Sequence, residues 1–147
     1  MPSTKAQLMR DFRHHVMTQL YDESAAPTSE VAIYGLSDPR ELREARYIGQ
    51  TSDPKRRLLQ HLSTARLWLP DDLPWWIKSP KLRPLYEWIR QLYGDERRLP
   101  TMIVFEWTHS GADARAAERA QICAGLARRL PLLNFEAKLM RGQWQLL

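Results

Sequence analysis

Apolar residues recur every four positions at Leu8, Phe12, Val16 and Leu20, with Met9 beside them, in an otherwise polar stretch. That period is one stripe of an amphipathic helix, and Ser3 or Thr4 stands where its N-cap belongs. The pattern breaks at "DESAAPTSE", 22–30, which reads as a linker. "VAIYGL", Val31 to Leu36, then starts a short β-rich run. In "SDPRELREA", Asp38, Pro39 and Glu41 occupy the places of an N-cap, a first-turn proline and a capping-box acid. A one- or two-turn helix, or an ordered loop, is expected there. Arg46 to Thr51 is a second strand that stops at Gly49 and "TSDP", where Asp53 caps and Pro54 opens a helix through "KRRLLQHLSTARLWL".

Leu69 to Pro84 is proline-rich and carries Trp75 and Trp76, so it reads as a loop with bulky anchors. Leu85 to Tyr93 is helical and ends at Gly94, Leu99 to Trp107 is a third strand, and another helix begins near Asp113. "PLLNF" breaks that helix and a short tail closes the chain. The predicted order is α-β-β-α-α-β-α, an α/β mixture in one layered domain.

Composition narrows this only slightly. A chain of 147 residues suits one domain, and 44% apolar with 27% charged residues fits a folded protein. The net charge of +5 admits a polyanionic partner without requiring one. Cys123 is the single cysteine, so no internal disulfide can form and a reducing compartment is expected. The first residues lack the apolar segment of a secretory leader, and no apolar run approaches the ~20 residues of a membrane helix. A soluble, cytoplasmic protein is the expectation.

Chemistry gathers in a few places. Arg57 and His61 are one helical turn apart, so they share a face, beside a broader face of Leu58, Leu59, Leu62 and Ala65. They are expected at the border of the core. Guanidinium forks onto phosphate, and imidazole exchanges protons near neutrality. Taken alone, the pair is better explained by a solvated helix face. Glu118 shares a face with Ala114, Ile122 and Gly125, where a carboxylate requires a cation, a metal or donors, or else pairs with Arg115 or Arg119 at the border. Tyr34 and Tyr47 each have the apolar neighbours of an ordinary core tyrosine. Lys78 to Pro84 and Arg97-Arg98 either extend a basic path or are surface loop charges. Trp68, Trp75, Trp76 and Trp88 more often fill a core than stack bases. His14, His15, His109 and Cys123 do not form a zinc-ligand spacing.

In order along the chain stand Ile33-Tyr34, Tyr47-Ile48-Gly49, Arg57 with His61, Glu118 and Asn134. This series resembles the GIY-YIG nuclease superfamily over about two thirds of the chain, from Val31 to Asn134. Ala32 replaces the first motif's leading glycine, and the spacer from Tyr34 to Tyr47 is long. The resemblance implies a small three-stranded antiparallel sheet flanked by helices, over 31–135. Around it lie an extra N-terminal helix and linker at 1–30 and a tail at 136–147 packed on the domain. It also implies a metal-dependent endonuclease or nickase acting on DNA. Glu118 would hold Mg²⁺ or Mn²⁺, Arg57 would neutralise the phosphate, and Tyr34 would act as general base or orient the attacking water. Tyr47 and His61 would tune Tyr34. Gly49 would permit close approach and Asn134 would brace the site through its amide. Lys55, Arg56, Lys78, Lys81 and Arg83 would touch flanking phosphates. The rival expectations are a nucleic-acid-binding module with an inactive site, and a partner protein using its N-terminal stripe.

Overall fold

The computed structural model describes residues 4–18, 30–109 and 111–145. Three antiparallel strands form one sheet in the order β2-β1-β3: β1 is Val31–Ser37, β2 Tyr47–Thr51 and β3 Thr101–Thr108. Among the described residues, five α-helices flank it: α1 Lys5–Met17, α2 Pro54–Thr64, α3 Arg83–Glu96, α4 Gly111–Ala127 and α5 Phe135–Gln145. Strand alternation sorts the chain into two cores. Tyr34, Leu36 and Met102 point to one face, where they pack with α1, α2 and α3. Ile33 and Ile48 point to the other, against Ala114, Ile122 and Leu126 of α4 and Ala137 and Met140 of α5. No described helix is long and apolar enough to cross a membrane.

The predicted N-terminal stripe buries Leu8, Phe12 and Val16 in the first core, so α1 belongs to the same packed body as the sheet. Its cap is Thr4, in a reciprocal pair with Gln7. Leu20, and 22–29 of the predicted linker, lie outside the described residues. Between β1 and β2 the ordered-loop alternative holds. Asp38 accepts from the Arg40 backbone N–H, and Glu41 N and Glu44 N close successive turns on Asp38 O and Glu41 O. The short-range side-chain bond competes with helix continuation.

β2 ends at Thr51, as the sequence suggested, with Gly49 paired to Tyr34 and Thr51 to Ala32. Three other expectations are corrected. α2 ends at Thr64 rather than continuing to Leu69. Arg66 takes a left-handed backbone (φ 55°), which costs a residue with a side chain roughly 1 kcal/mol. The compensation comes from far along the chain. Arg90 of α3 donates from Nε to Ala65 O (2.7 Å), from Nη2 to Leu69 O (2.9 Å) and from Nη1 to Asp72 O (3.1 Å), and its guanidinium lies 5.3 Å from the Trp76 ring centre. α3 passes through Gly94 and turns at Arg97 (φ 52°). The segment read as a tail is α5, held by burial of Ala137 and Met140.

Arg90→Ala is expected to destabilise the fold by about 2–3 kcal/mol, since it strips a charged donor from several carbonyls at once. Arg90→Lys should recover less than half, because an ammonium lacks the planar fork. Urea unfolding of the three proteins checks this.

Candidate active site

α2 sets the first half of the site. Asp53 caps it by accepting from Arg56 N, and Pro54 fixes its first turn. That places Lys55 and Arg56 in the first turn, Arg57 at the edge of the core and His61 one turn deeper. His61 is fully buried, not at the border as the helical spacing suggested. The face it shares with Arg57 is covered by α3, which brings Tyr86 onto the ring. His61 Nε2 lies 2.7 Å from the Tyr34 hydroxyl, and Nδ1 lies 3.1 Å from the Tyr86 hydroxyl. Tyr47 completes the cluster, with its ring centre 6.3 Å from that of Tyr34 and 5.7 Å from that of His61.

Gly49 has a specific reason to lack a side chain. It faces Tyr34 across the β1–β2 pair, and a Cβ there would stand 2.5 Å from the Tyr34 hydroxyl oxygen and 2.6 Å from the ring carbon that bears it. The group that approaches closely is therefore the neighbouring motif's own tyrosine. Asn134 braces β2 from its outer edge. Its Oδ1 accepts from Ile48 N (2.9 Å) and its Nδ2 donates to Ile48 O (2.7 Å), while Leu133 N donates to Arg46 O. The segment before α5 thus covers the edge of a strand that would otherwise expose its backbone.

The second half comes from the opposite face of the sheet. Glu118 on α4 is half-buried beside Gln50, which points away from Tyr47 along β2. Both halves meet where β2 ends, in a cleft of about 250 Å³ lined by Tyr47, Arg57, Lys81, Tyr86, Glu118 and Glu136, with Asn134 in its wall. Tyr34 and His61 stand behind this lining rather than in it. Lys81 reaches the cleft, Lys78 is exposed on the turn before it, and Arg83 is engaged by Glu87 at 2.6 Å. Trp76 and Trp88 are buried in the core, whereas Trp75 is exposed.

The electrostatics follow from burial around one fixed cation. Burial lowers the His61 pKa to about 3, and the nearby Arg57 charge pushes it the same way, so the ring is neutral. Burial raises the Tyr34 pKa, with Tyr47 adding to the effect, and Arg57 opposes it without overcoming it. Tyr47 and Tyr86 are raised by burial in the same way. None of the three phenols rests as a phenolate. Glu118 is raised by burial and by the Glu136 charge, while a hydrogen bond with Gln50 opposes them.

Sequence reasoning missed Tyr86, Glu136 and Gln50. Tyr86 sits on the apolar face of α3, where its position is that of a core tyrosine. Glu136 carried no signal because the segment around it read as a tail. No protein-family model matches the chain, and no curated protein or solved structure matches it.

Proposed function

We propose that the chain is a metal-dependent endonuclease or nickase that hydrolyses DNA phosphodiester bonds, in the manner of the GIY-YIG nucleases its motifs resemble. The observation that carries this is the cleft itself. Residues far apart in sequence bring an arginine, a phenol and a half-buried carboxylate to one opening, with the Tyr34–His61 pair directly behind. Arg57 is the fixed charge for a phosphate, and it neutralises the negative charge that grows on the non-bridging oxygens. Tyr34, protonated and hydrogen-bonded to His61, orients the attacking water, with Tyr47 beside it. Lys81 receives a flanking phosphate, and Lys55, Arg56 and Lys78 extend the basic surface along the strand.

The donor set fits a hard divalent cation. Glu118 and Glu136 face one cleft, and the elevated Glu118 pKa is the repulsion and desolvation that such a cation relieves. Glu118 would hold Mg²⁺ or Mn²⁺. When bound, the ion polarises the scissile phosphate and stabilises the leaving oxygen.

Incubation with supercoiled, linear and single-stranded DNA under Mg²⁺ and Mn²⁺ tests the proposal. Wild-type protein should nick or linearise DNA, and Glu118→Gln should lower the rate about 10²- to 10³-fold while DNA binding is retained. A wild-type protein inert on every substrate with either metal overturns the enzyme reading, and retained binding would then identify a nucleic-acid-binding module.

A further inference from the structure

The hydrogen bonds behind the cleft have a direction. His61 is neutral and sealed from solvent, so its ring carries one N–H and one lone pair. Tyr34 and Tyr86 are its two partners, one at each nitrogen. One hydroxyl must therefore donate to the ring while the other accepts from it. Arg57 decides which. Its positive guanidinium lies beside the Tyr34 hydroxyl and can only donate, so the Tyr34 proton turns away from it toward His61 Nε2. The ring proton then sits on Nδ1 and is donated to the Tyr86 oxygen. Thr64, at the end of α2, lies beside Tyr86, and its hydroxyl, unlike a guanidinium, can either donate or accept there.

We infer that Tyr86 is a positioning residue that holds His61 as the Nδ1–H tautomer and thereby turns the Tyr34 proton inward and its lone pairs toward Arg57 and the cleft. This role in hydrolysis rests on the nuclease reading, whereas the tautomer does not. A Tyr34 oxygen set this way accepts a hydrogen bond from the attacking water and aims the water's own lone pair. No proton has to be lodged on the buried ring. Without the Tyr86 oxygen, an Nδ1–H would be buried with no acceptor, which is costlier than an orphaned lone pair. The ring would adopt the Nε2–H form and donate to Tyr34. The Tyr34 proton would then compete with water for the same space.

Long-range ¹H–¹⁵N spectra of ¹⁵N-histidine protein read the tautomer directly, with His61 assigned by the signal lost in His61→Gln. Wild type should show protonated Nδ1 and bare Nε2. Tyr86→Phe, which keeps the ring that packs on Trp76, should show the reverse. With Mg²⁺ and DNA the same variant should lose roughly 10- to 100-fold in kcat at unchanged KM. An Nε2–H ring in wild type, an unchanged tautomer in Tyr86→Phe, or a reversed tautomer with undiminished kcat each overturns the inference. If the tautomer reverses but wild type cleaves nothing, the nuclease reading and the catalytic role of Tyr86 fall together, and only its hold on the ring survives.

Discussion

On the proposed nuclease reading, Arg57→Ala is expected to lower the rate of metal-dependent DNA cleavage about 10³-fold while leaving the fold intact. The side chain sits half-exposed at the rim of the core, and its charge faces the cleft and the phenols behind it. Its removal therefore deletes charge stabilisation of the reacting phosphate without opening a cavity among Leu58, Leu62 and Ile89, which are buried elsewhere. Arg57→Lys should restore only part of the rate, because an ammonium is a point charge and cannot present two parallel donors to a phosphate. Single-turnover cleavage and a thermal melt of each variant separate the two quantities. A melting temperature that falls along with the rate would mean that Arg57 supports the fold more than the reaction.

The second large effect is on stability at acid pH. His61 is held neutral in the folded protein with a pKa near 3, against about 6.5 in an unfolded chain. Between those values the unfolded state binds a proton that the folded state refuses, so stability rises with pH and is lost as pH falls through that window. The slope approaches about 1.4 kcal/mol per pH unit, which removes about 2 kcal/mol by pH 5 and about 3 kcal/mol by pH 4. His61→Gln should flatten the profile over this range even though it lowers stability at pH 7. Arg57→Ala should ease the acid sensitivity, because the arginine charge is the second cause of the depressed value after burial. Denaturant titrations at pH 4, 5, 6 and 7 for the three proteins decide it. Equal slopes in wild type and His61→Gln would place the acid sensitivity elsewhere.

The sequence disclosed its local chemistry and hid its distant contacts. Asp53 and Pro54 announce the start of α2 because a cap and a first-turn proline act within one turn. The β-rich runs announce the strands for the same reason. The end of α2 gave no such sign, since it depends on Arg90, more than 20 positions away, reaching back to the carbonyls of Ala65 and Leu69. α5 was hidden because its apolar face is narrow and its partners, Ile33 and Ile122, belong to other elements. In the candidate site, Arg57, Glu118, Tyr34 and Tyr47 stood out through the order of motifs. His61 was named as a candidate but misplaced in depth, because helical spacing names the face and not the helix that covers it. Tyr86 was invisible, since a tyrosine on an apolar helical face looks the same whether or not an imidazole waits behind it.

The two bonds from Asn134 to Ile48 have one further consequence. Tyr47 and Gln50 ride on the same five-residue strand and project to opposite faces, one toward the phenol–imidazole cluster and the other toward Glu118. A slip of that strand by a single residue would exchange inside for outside along its whole length, swinging the phenol to the carboxylate side and the amide to the arginine side. The chain would still be compact, with a chemically scrambled mouth. By clasping both backbone polar atoms of one residue, Asn134 makes the slipped form pay in two broken bonds, so folding errors at this margin are penalised at the spot where they would do the most damage.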